Sequence, residues 1–370
     1  MINLHGLILA DRSSHELREL VMCRTSASLP FAGRYRLIDF ALSSMQNALV
    51  RDVGVIMQQD YQSLLDHIGS GKEWDMSRKR GGLRLLPPFG MEEGRRGQYA
   101  SIIDALISVQ GYIKDIKQDY VCLCRGSLAA NIDLAAVMKR HVSSGADVTV
   151  VCSERDPESS HYRFVADENG YVSELLRHRH GKGEGYASLE MYIMSKETML
   201  DMIDRCDSAI NRKFHRDGLG GILTSGGRIA VYLHPGYAVH IDTVDTYYRS
   251  NMDMLTARNR RELFPDERPV RTKGRADVST HYAEGASVKN CFVADGCYIE
   301  GSIENCIIFR GVQIHKGAVL KDCIIMQDSI IGAGAELSSV ISDKDVTIGE
   351  FITLAGSPRV PLVLPKGSKI

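Results

Sequence analysis

The chain has 370 residues, of which 44% are hydrophobic and 25% charged, and its formal net charge is −1. This balance provides no basic surface for nucleic acid or for an anionic membrane, and the length favours two domains over one. Nine cysteines without a CxxC pair predict free thiols in a reducing compartment, not a disulfide framework or a metal site. We find no signal-peptide pattern and no apolar run of membrane-spanning length, so we expect a cytoplasmic protein.

Short apolar runs alternate with amphipathic segments over residues 1–255. The runs that we predict as strands are Leu4–Ala10, Val53–Met57, Tyr120–Cys124, Val148–Cys152 and Arg228–Leu233. Helical spacing covers Tyr99–Ile113 and Asp133–His141. The alternation predicts an α/β fold with a doubly wound, mostly parallel sheet and helices on both faces. Ligands bind such sheets at the carboxyl ends of the strands, so the residues that follow each strand are the candidates for function.

A different pattern occupies the C-terminal part. Residues 256–280 are charged and contain prolines, which predicts a linker. In residues 281–370 aliphatic side chains recur every six positions, in the series Val293 and Ile299; Ile308, Ile314 and Leu320; Val319, Ile325, Ile331 and Leu337; Val340, Val346 and Ile352. Hexapeptide repeats of this kind predict a left-handed parallel β-helix that stacks its aliphatic residues coil upon coil. One functional hypothesis for such a domain is that it is an acyltransferase with His281 or His315 as its general base.

The N-terminal part carries motifs that resemble a known family. The first strand is followed at residues 30–40 by PFAGRYRLIDF, and residues 63–75 keep a Ser-Leu, a His-Ile and a Trp-Asp pair at fixed spacing. Both stretches resemble the ADP-glucose pyrophosphorylases, which have PFGGKYRxIDF at the first of them. The resemblance implies a Rossmann-like nucleotidyltransferase domain over residues 1–255 and the β-helix over residues 281–370. It also implies that ADP-glucose is made from ATP and glucose 1-phosphate with a divalent metal ion.

The residues that the family uses for chemistry are replaced here. The glycine-rich phosphate loop becomes the glycine-free stretch 11–17, where a helix start is predicted. Ser26 stands at the position of one substrate lysine of the family, and His178 stands at the position of the other. Ser127 and His240 replace the two metal-binding aspartates, and Glu190 replaces a glycine of the sugar site. Mg²⁺ prefers oxygen ligands, so Ser127 and His240 would not hold it. Asp242, two residues further along the same strand, could compensate only in part.

The joint loss predicts an abandoned active site on a retained fold, without a cofactor or a bound metal. The resemblance is greatest to the non-catalytic regulatory subunit of bacterial ADP-glucose pyrophosphorylases in glycogen synthesis. It implies a mixed tetramer with a catalytic subunit and a homodimer in isolation. Arg24, Arg34 and Arg36 are retained at positions where the family binds anionic metabolites, so we expect an effector anion there unless they merely pair with carboxylates such as Asp39. The alternative function is an active nucleotidyltransferase with a rebuilt site.

Overall fold

The computed structural model describes residues 3–10, 15–79, 81–87, 99–155, 160–177, 183–207 and 212–370. Within these ranges the N-terminal part mixes strands and helices, and the C-terminal part is a stack of short parallel strands. No helix in the described ranges is both long enough and apolar enough to cross a membrane.

The strands of the N-terminal part are β1 Leu4–Ala10, β2 Pro30–Phe31, β3 Tyr35–Arg36, β4 Asp52–Met57, β5 Gly82–Leu86, β6 Tyr120–Arg125, β7 Leu128–Ala130, β8 Val148–Ser153, β9 Tyr162–Ala166, β10 Val172–Arg177, β11 Tyr186–Ser195, β12 Ile229–His234 and β13 Ala238–His240. The α-helices are α1 Ile38–Asn47, α2 Gln62–Ile68, α3 Ile102–Ser108, α4 Gln110–Asp115, α5 Leu134–Ser144, α6 Lys196–Asp207, α7 Gly220–Thr224, α8 Val244–Asp253 and α9 Ala257–Leu263. Short 3-10 segments cover His15–Val21, Ser26–Ser28 and Lys72–Trp74, and a π-helical turn covers Phe214–Leu219.

The main sheet has a parallel half and an antiparallel half. Strands β5, β4, β1 and β6 lie side by side and parallel, and β8 pairs with β12 in the same way. Strand β11 runs antiparallel between β6 and β8, and β9 and β10 extend that side of the sheet. The five predicted strands are confirmed. The helix predicted over Tyr99–Ile113 is two helices, α3 and α4, which meet at Val109.

Two hydrophobic cores cover the two faces of this sheet. Along β1 the side chains of Leu7 and Leu9 enter one core, and those of Ile8 and Ala10 enter the other. Successive side chains of a strand point to opposite faces, so a strand that is covered on both sides is buried along its whole length, and the one polar residue of β1, His5, is buried as well. The continuous apolar run that predicts β1 therefore follows from its central place in the sheet.

The C-terminal part forms three parallel sheets, each with one strand from every coil. The strands are β14 His281–Tyr282, β15 Ser287–Lys289, β16 Phe292–Val293, β17 Tyr298–Ile299, β18 Ser302–Glu304, β19 Ile307–Ile308, β20 Gln313–Ile314, β21 Val319–Lys321, β22 Ile324–Ile325, β23 Ile330–Ile331, β24 Glu336–Ser338, β25 Val340–Ser342, β26 Thr347–Ile348, β27 Thr353–Ala355 and β28 Leu362–Leu364. This arrangement is the left-handed parallel β-helix that the hexapeptide pattern predicts. Ile299, Ile314 and Ile331 stack in register inside it. Val319 was wrongly included among the interior residues: it is 48% exposed, because its neighbour Leu320 points inward.

One face of the β-helix packs against the N-terminal part. Ile307, Ile324 and Ile341 point away from the β-helix interior and share a buried cluster with Phe31 and Phe40. The segment predicted as a linker contains α9, whose Leu263 is buried in the same cluster. The two parts are therefore joined by a continuous apolar contact. The domain limits 1–255, 256–280 and 281–370 stay a prediction.

Candidate functional site

Ser127 and His240 lie together in the fold. Ser127 occupies the turn between β6 and β7, and β13 pairs with β7 so that His240 is opposite Leu128. The amide of Ile241 donates a hydrogen bond to the carbonyl of Ser127, at 3.3 Å. Both side chains are buried, with 7% of Ser127 and 5% of His240 exposed. The two predicted positions thus lie close together at the carboxyl end of β6, and the group of buried side chains around them is called the pocket below.

The imidazole of His240 does not supply the negative charge of the carboxylate that it replaces. Its Nε2 lies 3.3 Å from the carbonyl oxygen of Ser188. Burial lowers the pKa of His240, although Glu190 opposes this shift. The ring is therefore held neutral near pH 7, and it brings no negative charge to the pocket.

Glu190 lies in the same pocket, in an unusual backbone conformation. The register of β11 against β8 shifts between Ser188 and Met191, and Glu190 inside this bulge has φ of +48°. Residues other than glycine rarely adopt positive φ, which agrees with the glycine that the family resemblance places here. The bulge turns the Glu190 side chain inward, where only 5% of it is exposed.

The carboxylate of Glu190 forms an ion pair with the last residue of β6. The Nε atom of Arg125 lies 2.6 Å from Oε2 of Glu190. Burial alone would raise the pKa of Glu190, but Arg125, His240, His215 and His161 lower it to about 2. Glu190 is therefore ionised at neutral pH, and its charge is balanced by Arg125. Sequence analysis missed the role of Arg125, because the family position it occupies is not one of the catalytic ones.

The surrounding histidines are held by neighbours of their own. Nε2 of His161 lies 2.9 Å from Oδ2 of Asp242, and that hydrogen bond raises the pKa of His161. His215 stacks on Tyr162 with ring centroids 3.4 Å apart, and burial lowers the pKa of His215 to about 4. The hydroxyl of Tyr192 lies 2.7 Å from Nε2 of His215. The histidines around Glu190 are thus hydrogen-bonded to, or stacked on, neighbouring side chains.

The donor set of this pocket does not fit the divalent metal that the family resemblance implies. Ser127 offers a hydroxyl and His240 a neutral imidazole, whereas Mg²⁺ requires hard, preferably anionic oxygen ligands. The carboxylates of Glu190 and Asp242 are engaged by Arg125 and His161 respectively. Among the described residues there is no group of three or more His, Cys, Asp or Glu side chains placed to hold a metal ion.

The substrate-lysine positions can be placed only in part. Ser26 is 4% exposed and begins the short 3-10 turn Ser26–Ser28. The next residue, Ala27, lies against Gly126, since a Cβ atom on Gly126 would come within 2.9 Å of the Ala27 Cβ. Ser26 is therefore close to the turn that holds Ser127, and it supplies no cation. His178 and residues 11–14 lie outside the described residues.

The three predicted effector arginines do not form one exposed group. Arg24 is 2% exposed, and its Nη2 lies 2.8 Å from Oδ1 of Asp343 in the β-helix. Arg36 is half-buried, and its guanidinium donates to the carbonyl and hydroxyl oxygens of Ser63 at 2.5 and 2.8 Å. Arg34 is exposed at the β2–β3 turn. Arg24 is thus a contact between the two parts of the chain, and the effector role of all three stays a prediction.

A lysine that sequence analysis did not single out adds to this basic region. Burial lowers the pKa of Lys344 to about 7, and the nearby positive charges of Arg36 and Arg24 lower it further in the same direction. Its backbone amide donates to Oδ1 of Asp343 at 2.7 Å. No sequence signal could have linked Lys344 to Arg24, because more than 300 residues separate them and only the docking of the β-helix brings them together.

Both parts of the chain match known protein families. The family model described as "Nucleotidyl transferase" matches residues 5–212, and the model described as "GlmU-like, C-terminal hexapeptide" matches residues 277–357. The glycogen biosynthesis protein GlgD of Bacillus subtilis is 37% identical over 98% of this chain and 95% of its own length. The GlgD of Geobacillus stearothermophilus is 35% identical over 85% of this chain and 82% of its own length. The chain belongs to the GlgD-like nucleotidyl transferases.

The same family includes enzymes. A glucose-1-phosphate adenylyltransferase from Geobacillus stearothermophilus is 30% identical over 85% of this chain and 82% of its own length. The GlgD proteins are more similar to this chain and carry the name of a glycogen biosynthesis protein. The chain is therefore a GlgD-like protein related to ADP-glucose pyrophosphorylase and to glycogen biosynthesis. His281, which stacks on Tyr298, and His315, which lies 3.5 Å from Glu300, are both at the surface of the β-helix.

Proposed function

We propose that this chain is a non-catalytic, regulatory subunit of a cytoplasmic ADP-glucose pyrophosphorylase in glycogen biosynthesis. In this role it would assemble with a catalytic subunit that makes ADP-glucose from ATP and glucose 1-phosphate. The assembly would be a mixed tetramer, and the isolated chain would form a homodimer. The family membership and the greater similarity to GlgD proteins support the process, and the geometry of the pocket supports the absence of catalysis.

The observation that carries the proposal is the engagement of Glu190 by Arg125 beside Ser127 and His240. Nucleotidyl transfer needs charge neutralisation of the phosphates and accurate positioning more than covalent chemistry by the protein. A neutral imidazole and a hydroxyl supply none of the negative charge that holds a divalent metal ion beside the phosphates. The Glu190 carboxylate adds negative charge beside the position where a phosphate would have to sit, and like charges in a buried site repel strongly.

The direct test is the rate of ADP-glucose synthesis by the isolated chain. The purified protein, free of host pyrophosphorylase, is assayed with ATP, glucose 1-phosphate and Mg²⁺, and the same assay is run on the catalytic partner alone and on the mixture. We expect no turnover by the chain alone and altered kinetics of the partner in the mixture. Turnover of about 1 s⁻¹ or more by the chain alone would favour the alternative, an active nucleotidyltransferase with a rebuilt site.

The regulatory part of the proposal concerns an anionic metabolite at the basic region. Arg34 is exposed and is two residues from Arg36, and the positive charges of Arg36 and Arg24 lie near Lys344. In the mixed enzyme we expect Arg34→Ala and Arg36→Ala to raise the effector concentration needed for half-maximal response, because each removes a charge-assisted hydrogen bond to a phosphate. Arg51→Ala, at another exposed arginine, is the matched control. Unchanged half-saturation in both variants would leave these arginines with structural roles alone.

A further inference from the structure

The position of Glu190 combines two features that are individually unfavourable. Its backbone adopts φ of +48°, which is strained for a residue with a Cβ atom. Its side chain carries a negative charge into a site where only 5% of it remains exposed. Strained backbone and buried charge persist only where the surrounding structure compensates for them. The compensation here must come from the groups that face the carboxylate.

Those groups form a site for a negative charge. Arg125 contacts Glu190 at 2.6 Å, and His161 lies close enough for the Glu190 carboxylate to help raise the pKa of His161. The backbone amide of Glu190 is also fixed, since it donates to the Ser188 hydroxyl at 3.0 Å. The guanidinium of Arg125 is 31% exposed and His161 is 45% exposed, so the site has a solvent-facing side.

Removal of Glu190 would take a carboxylate away from Arg125. A half-buried guanidinium that loses a carboxylate can pair with a small anion from solution in its place. Guanidinium N–H groups donate strong hydrogen bonds to phosphate and its monoesters. The charge at this position therefore suits a phosphate-class oxyanion, and the Glu190 side chain takes the place of such a ligand.

We propose that Glu190 is an internal ligand that fills an oxyanion site made by Arg125 with His161 beside it, and that it closes the pocket of the wild-type chain to phosphate-bearing molecules. The inference rests on the proposed non-catalytic function, because an active enzyme would need this position open. It goes beyond that function in assigning Glu190 a specific blocking role.

The test compares anion binding by the wild-type chain and by two variants that remove the carboxylate. Glu190→Gly relieves the positive φ, and Glu190→Asn keeps a short neutral side chain that tolerates this conformation. Inorganic phosphate is titrated into the full-length protein by calorimetry at constant ionic strength, with chloride as the reference anion. We expect both variants to bind phosphate saturably, with a dissociation constant at least about tenfold lower than that of the wild type.

Two further arms identify the site and the source of the anion. The double variant Glu190→Gly with Arg125→Ala should lose the gained binding, because it lacks the guanidinium. Glucose 1-phosphate in place of phosphate shows whether the opened pocket accepts an ester or only the free anion. The proposal is overturned if the folded Glu190→Gly and Glu190→Asn proteins bind phosphate no better than wild type, or if the double variant binds it equally well. Neither result depends on the activity assay, so this inference can fail while the proposed function stands.

Discussion

The buried pair between Arg24 and Asp343 allows a quantitative prediction about how the two parts of the chain hold together. Arg24 is 2% and Asp343 1% exposed, and their contact is 2.8 Å. In Arg24→Ala the Asp343 carboxylate keeps the backbone amide of Lys344 but loses its guanidinium. Breaking one side of a buried pair in this way costs about 3–5 kcal/mol, because a charge is left without its partner.

The predicted loss converts to a change in melting temperature. An unfolding entropy of about 2.1 cal/mol/K per residue over 370 residues gives about 0.8 kcal/mol/K for the whole chain. Arg24→Ala should therefore melt about 4–6 °C below wild type in differential scanning calorimetry. Arg34→Ala is the matched control: that arginine is exposed, and its removal should change stability by no more than about 0.5 kcal/mol.

A second variant separates the effect of the two charges from the effect of the volume that the two side chains fill. Replacing both Arg24 and Asp343 with leucine removes both charges, and it should recover most of the lost stability, because apolar replacement of a buried pair is often neutral. If Arg24→Ala melts within about 1 °C of wild type, the pair does not stabilise the domain contact and our reasoning is refuted. If the prediction holds, a weakened effector response in Arg24→Ala cannot by itself be attributed to ligand binding.

Two other features give predictions of stability. Burial lowers the pKa values of His5, His215 and His234 to about 4 from 6.5, so the unfolded chain takes up protons that the folded chain does not. The free energy of unfolding should fall as pH drops from 6.5 towards 4, and His215→Gln should reduce that slope in urea titrations; an unchanged slope would contradict the assignment. Ile325→Ala in the β-helix interior should cost about 2–5 kcal/mol in denaturant unfolding, whereas Val319→Ala on its surface should cost little, and equal losses would argue against this register.

Local patterns were sufficient where burial is imposed by the repeating geometry of a strand or coil. The apolar run of β1 and the six-residue spacing of Ile325 and Ile331 predicted a central strand and a β-helix, and both are present. The pattern was ambiguous by one residue at Val319 and Leu320, because two adjacent aliphatic residues fit a six-residue repeat equally well. Strand β11 was not predicted, although it lies in the middle of the sheet.

The candidate site, too, could be predicted from the sequence only in part. The replacements at Ser127, His240 and Glu190 are visible in the sequence, and they indicate that catalytic groups are missing. What fills the pocket instead is decided by the pairing of β11 with β6, in which Met191 lies opposite Cys124 and brings Glu190 to Arg125. Side chains 65 positions apart carry no local sign of such a contact.

The sequence by itself determined the two kinds of architecture and the loss of the family's chemical residues, because both depend on residue type and short-range spacing. The tertiary structure decided what the retained charges do. Arg24 was predicted to bind an anion from solution, and the docking of the β-helix gives it Asp343 as a partner. The energy of a charge depends on its burial and on the charges that face it, and both are set by contacts between segments far apart in the chain.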